Sequence, residues 1–211
     1  MVSRDAKRLD TEKEAVQKIA GSDVQVIAMP CDLSDLSALK KTLTEIEKQG
    51  PLGSIFFNAA RINVVDPLTA PVEELEEDFR VRCIPFQTID PDLIIPQTTN
   101  LALYATAQWG VPLLRKSGFE KPTFLVTGTW LSDKPLPALL SLSAVKSSQE
   151  NMVKSFHDAF GEEIHFGLVK VMGVVKPDAK GTNPSKIAEK TVELFMQEKA
   201  KWELMIYVHD E

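Results

Sequence analysis

Short apolar runs alternate with amphipathic segments along most of the 211 residues of this chain. The apolar runs predict strands, and the amphipathic segments, with apolar residues at helical spacing, predict helices. The predicted strands cover 23–29, 52–59, 122–128, 164–173 and 202–208, and the predicted helices cover 12–20, 35–49, 100–114, 143–160 and 184–198. This alternation is typical of an α/β domain in which helices cover both faces of a parallel sheet.

Composition and charge narrow the class of protein. The chain is 44% hydrophobic and 26% charged, as in ordinary globular domains. A net charge of −6 makes a nucleic-acid partner unexpected. No apolar run reaches the roughly 18 residues that a membrane span needs, and the polar start "MVSRDAKRLD" has no signal-peptide pattern. We therefore expect a cytoplasmic protein that uses neither a membrane nor DNA or RNA.

Cysteine and histidine are too sparse to indicate a metal or disulfide scaffold. Cys31 and Cys83 are the only cysteines. Three histidines lie far apart, at positions 157, 165 and 209, without the spacing of metal ligands. Two isolated thiols suit a reducing compartment. The sequence therefore predicts no metal site and agrees with a cytoplasmic location.

Residues 81–97, "VRCIPFQTIDPDLIIPQ", interrupt the alternation and contain three of the thirteen prolines. We predict little regular structure there and a position on the surface. Two interpretations stay open. The segment is a genuine insertion, such as a substrate lid, or it translates an unspliced intron, because Val-Arg at its start and Gln97 at its end can be encoded by splice-site sequences. The whole chain, 1–211, is expected to form one domain that includes this segment.

Five short motifs follow one another in a familiar order. They are "VSRDAKRL" (2–9), "CDLSD" (31–35), "FFNAAR" (56–61), "FLVTGTW" (124–130) and "LSAVKSS" (142–148). Together they resemble the short-chain dehydrogenases/reductases, enzymes that move hydride between NAD(P) and a carbonyl or alcohol. The resemblance implies a Rossmann-like doubly wound parallel sheet, NADP as cofactor, a small carbonyl or alcohol substrate, and a homo-oligomer as one open possibility.

The resemblance also implies roles for individual residues. Arg4 would meet the adenosine ribose or its 2′-phosphate, and Asp32 the adenine amino group. Asn58 would stand at the end of a cofactor-binding strand, and Lys146 would handle the nicotinamide ribose. Each also has an ordinary alternative: Arg4 and Lys146 as solvated surface residues, Asp32 or Asp35 as a helix cap, and Asn58 as a turn residue.

The proposed catalytic set departs from the family pattern. Leu142 stands four residues before Lys146, where the family has a proton-donating tyrosine, and loss of a general acid typically costs about 10² to 10⁴ in rate. Thr129 takes the place of the family's serine. Asn100 lies near the position of its structural asparagine. Thr129, Lys146 and Asn100 are thus the predicted catalytic residues, in a site whose redox chemistry is impaired.

The cofactor-binding elements depart from the pattern as well. No glycine occurs before Gly21, so the Gly-rich loop that binds the pyrophosphate is absent. By resemblance, the sheet is expected to lack its first strand and to be N-terminally truncated. Three functions stay open: a divergent NADP-dependent oxidoreductase, a non-catalytic Rossmann-like interaction protein, and a non-redox enzyme, such as a cyclase or dehydratase, that uses Thr129 and Lys146.

Overall fold

The computed structural model describes residues 1–60, 62, 64, 66–69 and 99–209. Segment 81–97, interpreted above as an insertion or a retained intron, lies outside these residues, as does an acidic segment at 72–80 that the sequence suggested to be helical. Among the described helices, none is long and apolar enough to cross a lipid bilayer.

In the described part of the chain, five α-helices occupy amphipathic segments. They are α1 (Ala6–Ala20), α2 (Leu36–Glu47), α3 (Thr99–Lys116), α4 (Leu140–Phe160) and α5 (Pro184–Phe195). Side chains at the N-termini satisfy backbone amides that have no partner within the helix. Asp5 caps α1, Asp35 caps α2, and Asn183 caps α5. Of Asp32 and Asp35, which the sequence offered as alternative helix caps, the structure thus selects Asp35.

Among the described residues, six strands form two sheets with parallel pairing in each. β1 (Val2–Ser3) pairs with β2 (Met29–Pro30) in a two-stranded sheet. The other four pair in chain order, and they are β3 (Ser54–Phe57), β4 (Thr123–Thr129), β5 (His165–Val171) and β6 (Met205–Val208). The predicted α/β class with a parallel sheet is therefore confirmed, and the described sheet is divided between β1 and β3.

The predicted strand at 23–29 is wrong for most of its length. Of residues 23–29, Met29 alone belongs to a strand, β2. The backbone before Met29 bonds to the side chain of Gln17 instead of to a strand. The Gln17 amide donates to the carbonyls of Gly21 and Val24, and its oxygen accepts from the amide of Val26. The apolar composition of 23–29 could not predict this outcome, because the Gln17 side chain takes the place of a neighbouring strand as hydrogen-bond partner.

The core lies between the four-stranded sheet and the helices α2, α3 and α4. Alternate strand residues point to this face and are fully buried, with Phe124 stacked on Phe166 at 5.6 Å between ring centroids. The opposite face carries a smaller cluster that joins Leu125 and Val169 to Leu194 of α5. Both faces of β4 and β5 are buried, as a parallel sheet requires.

We expect the folded chain to lose stability as the pH falls below about 6.5, because of His165. This side chain is 1% exposed at the start of β5, and burial lowers its pKa. The unfolded chain therefore takes up a proton at a pH where the folded chain does not, and the loss is at most about 1.4 kcal/mol per pH unit. Urea unfolding between pH 7.5 and 5.5 measures it. His165→Gln should flatten this dependence, whereas replacement of the exposed His209 by glutamine should leave it unchanged; an equal slope in all three proteins contradicts the prediction.

Candidate functional site

Lys146 is a buried residue of α4, and its ammonium lies near the carboxyl ends of β3 and β4. Its side chain is 5% exposed, and its ammonium donates to the carbonyls of Thr127 at 2.8 Å and Ala59 at 3.4 Å, and to Gln149 Oε1 at 2.9 Å. All three acceptors are neutral, so burial lowers the pKa of Lys146 to about 8. The amine thus changes charge near neutral pH and is joined to both β4 and the chain after β3.

Leu142 stands one helical turn before Lys146, so both side chains lie on the same side of α4. It is 9% exposed and brings no polar atom. Thr129 lies at the end of β4, and its hydroxyl accepts a hydrogen bond from the amide of Leu131 at 3.4 Å, capping a short 3₁₀ turn over Trp130–Ser132. A threonine hydroxyl and a buried lysine therefore lie at the carboxyl end of the sheet with an apolar side chain in the helix turn before the lysine.

Several polar atoms near this end of the sheet are buried without a partner among the described residues. They are Asn100 Oδ1, Thr127 Oγ1 and Gln149 Nε2. Asn100 is in the first turn of α3 and Gln149 bonds Lys146 directly. Unpaired buried polar groups cost free energy, and a catalytic role is one of the explanations for them in native structures. The predicted catalytic residue Asn100 is therefore buried, and its side-chain oxygen has no hydrogen-bond donor among the described residues.

A buried ion network beside the site was not foreseen. Glu150 on α4 accepts from Lys170 at 2.9 Å, from Lys154 at 2.7 Å and from the Ser132 hydroxyl at 2.6 Å, while Lys170 also pairs with Asp133 at 2.7 Å. Burial raises the pKa of Glu150, but these hydrogen bonds outweigh it and hold the pKa at about 2. The network fixes the turn after Thr129 against α4 and β5. Its signal in the sequence is a lysine in the middle of the apolar run "HFGLVKV".

The predicted cofactor residues Arg4, Asp32 and Asn58 come together around one cleft, which has a volume of about 1020 Å³. Each follows the end of a strand, namely β1, β2 and β3, and each is exposed. The Asp32 carboxylate accepts from the amide of Ser34 at 2.9 Å, so it closes the turn before α2 without capping that helix. The structure thus brings the three residues together, whereas Lys146 is buried behind Ala59 and bonded to the backbone.

The site fits a dinucleotide at its adenosine end only. Arg4 offers a cation and Asp32 and Asn58 offer acceptors around the cleft. Pyrophosphate binding needs backbone amides that approach closely, usually at a glycine-rich helix N-terminus. None of the described residues that line the cleft is a glycine, and the N-termini of α1 and α2 carry the acidic caps Asp5 and Asp35. The described part of the cleft therefore lacks the closely approaching backbone amides of a pyrophosphate site, and its second cation, Arg8, is exposed and lies 3.9 Å from Glu12.

Comparison with known proteins identifies the class of fold. The model of the KR domain family matches residues 1–78. An alcohol dehydrogenase from the archaeon Thermococcus sibiricus, solved in complex with 5-hydroxy-NADP, superposes with a TM-score of 0.78 at 17% identity, over 99% of this chain and 84% of that one. A metagenomic short-chain oxidoreductase in complex with NADP gives 0.77 at 16% identity, over 100% and 84%.

A third solved structure is of interest because of its active site. It is a short-chain oxidoreductase from Pseudomonas aeruginosa PAO1 described as containing an atypical catalytic centre, with a TM-score of 0.65 at 17% identity over 83% of this chain and 60% of that one. Among curated proteins, no match was found. The resemblance to the short-chain dehydrogenases/reductases is thus confirmed, and the chain has their Rossmann-like α/β fold.

Proposed function

We propose that this chain is a divergent oxidoreductase of the short-chain dehydrogenase/reductase type in which redox chemistry is impaired. The observation that carries the proposal is the pair Leu142 and Lys146. The lysine is kept, buried and close to the end of β4, but the residue one turn before it has no proton to give. A carbonyl that accepts hydride must also accept a proton, and with leucine at position 142 the proton donor expected from the family is absent.

The remaining polar groups support the same chemistry at a lower rate. Thr129 has a hydroxyl that can donate to a carbonyl oxygen, and Asn100 and Lys146 hold polar atoms at the same end of the sheet. The substrate class in this proposal is a small carbonyl or alcohol, the cofactor is NADP, and the location is the cytoplasm. When bound, NADP(H) would supply the hydride, and the residues that would hold its adenosine end are Arg4, Asp32 and Asn58.

We expect NADPH to bind this chain weakly, with a dissociation constant far above the micromolar range. Arg4 and Arg8 are exposed cations, each of which contributes about 1 kcal/mol or less to binding in water, and no described glycine-rich turn receives the pyrophosphate. Isothermal calorimetry with NADPH and NADH tests this. Arg4→Ala should abolish any preference for NADPH, because only NADPH carries the 2′-phosphate.

The matched control is Lys7→Ala, which removes an exposed cation of α1 that does not line the cleft. It should leave both affinities unchanged. A micromolar dissociation constant for NADPH on the unmodified chain would show that other groups bind the pyrophosphate. An equal loss of NADPH affinity in both variants would show that the cation at position 4 acts only through net charge.

A further inference from the structure

The ammonium of Lys146 uses all three of its donors inside the domain. The carbonyl of Thr127 accepts at 2.8 Å, Gln149 Oε1 at 2.9 Å and the carbonyl of Ala59 at 3.4 Å. A lysine ammonium has three donors and no acceptor. These contacts therefore leave Lys146 no donor for a ligand, and Lys146 is not among the described residues that line the cleft.

Gln149 supplies the one of these three acceptors that belongs to a side chain. It lies three residues after Lys146 on α4, so the two side chains are neighbours on one face of the helix. The other two acceptors are backbone carbonyls, in β4 and two residues beyond the end of β3, and the sheet sets their positions. The Gln149 side chain is 1% exposed. A substitution at position 149 therefore removes one acceptor of Lys146 without removing a backbone group.

Lys146 sets the orientation of the Gln149 amide. The amide oxygen faces the ammonium, while Nε2 is buried and has no hydrogen-bond partner among the described residues. Turning the amide over would place donor against donor, because Nε2 and the ammonium both carry hydrogens and no acceptor. A buried donor without an acceptor costs free energy. The bond to Lys146 therefore holds Gln149 in an orientation that leaves the other end of the amide unsatisfied.

The same helix bonds a second buried lysine in a different way. Lys170 is 2% exposed and pairs with the carboxylates of Glu150 at 2.9 Å and Asp133 at 2.7 Å. Burial lowers the pKa of Lys170, but these carboxylates outweigh it and raise the pKa, whereas burial lowers the pKa of Lys146 to about 8. Gln149 and Glu150 are consecutive in α4. One helix thus gives a neutral acceptor to Lys146 and a charged acceptor to Lys170.

We propose that Gln149 is a positioning residue for Lys146, because its amide oxygen completes a set of three acceptors that holds the amine inside the domain and out of the cleft. The consequence for chemistry rests on the proposed function. In an NADP-dependent site, an amine held in this way has no donor for the hydroxyls of the nicotinamide ribose until its bond to Gln149 breaks. The set of acceptors itself is a property of the chain without cofactor, and it can be tested there.

The test is competitive acetylation with a trace of acetic anhydride at pH 7, in the absence of cofactor, with mass spectrometry of each lysine. The neutral amine is the form that reacts, and the exposed Lys7 is the internal reference. Gln149→Leu keeps a similar size and removes the acceptor, so Lys146 should react about tenfold faster. Gln149→Glu keeps an acceptor and adds a negative charge, so Lys146 should react about tenfold more slowly.

Lys170 is the matched control within each sample, because it is equally buried but bonds to Glu150 and Asp133 instead. Its rate should not change in either variant. Gln108→Leu, at an exposed glutamine of α3, should leave Lys146 unchanged.

An unchanged rate at Lys146 in Gln149→Leu would overturn the proposal. So would an equal increase at Lys146 and Lys170, which would show a general loosening of the fold. If Gln149→Leu does not fold, Gln149→Glu decides alone: slower reaction of Lys146 supports the proposal, and an unchanged or faster reaction overturns it. A failure of the redox proposal would appear in the rate of NADPH oxidation, so the two proposals fail in different experiments.

Discussion

Replacement of Glu150 by alanine is expected to destabilise the folded chain by about 3–5 kcal/mol. Among the described residues, Lys170, which is 2% exposed, would keep Asp133 alone as an anionic partner, and the Ser132 hydroxyl would lose its acceptor Glu150. Breaking a buried pair leaves one charge without compensation, and this costs more than the intact pair contributes. Urea unfolding at pH 7 measures the loss.

Lys154→Met provides the matched control for this prediction. It removes another ion pair of Glu150, but the Lys154 side chain is about half exposed, so the cost should stay below about 1 kcal/mol. The pH dependence adds a second check. The pKa of Glu150 is depressed to about 2, so its contribution to stability is complete above about pH 4.5 and is lost as the pH falls from there towards 2. Equal losses in Glu150→Ala and Lys154→Met would contradict the prediction.

The fold class could be predicted from the sequence because β4 and β5 are long apolar runs. β4 and β5 are buried along their full length or nearly so, and their apolar residues could lie nowhere else. β2 was placed wrongly because its boundaries depend on one side chain, Gln17, which takes the backbone bonds of the residues before Met29. Apolar composition predicts which segments are buried. It does not show that a nearby side chain will hydrogen-bond the backbone in place of a strand.

The candidate site was predicted only in part, for a similar reason. Motif order brought Arg4, Asp32 and Asn58 to one cleft, because the ends of consecutive parallel strands meet at the same edge of a sheet. The direction of Lys146 was not foreseeable, since it depends on carbonyls of Thr127 and Ala59 that are far away in sequence. The network of Glu150 and Lys170 likewise joins residues from two elements. The roles of the predicted site residues stay predictions.

Leu142→Tyr is expected to raise NADPH-dependent reduction of a small ketone by about 10²-fold or more in kcat/KM. A tyrosine at position 142 would lie one turn from the Lys146 ammonium, which lowers a phenol pKa by favouring the phenolate. The pKa of Lys146 is itself about 8, so this assistance is present below pH 8 and fades above it. Activity of the variant should therefore fall as the pH rises through 8, in addition to any loss from the phenol.

Leu142→Phe is the control for the tyrosine variant. It brings a ring of almost the same size and no hydroxyl, so any gain that comes from packing alone appears in both variants. Only the tyrosine should increase the rate. Equal rates in the phenylalanine and tyrosine variants would show that the proton does not come from position 142.

The most direct test of impaired redox chemistry is the rate of NADPH oxidation by the unmodified chain with a panel of small ketones and aldehydes, at NADPH concentrations high enough to offset weak binding. We expect a rate no greater than that of Leu142→Phe and well below that of Leu142→Tyr. Turnover in the ordinary enzymatic range of about 1–10³ s⁻¹, with leucine at position 142, would contradict the proposal and show that another group in the site donates the proton.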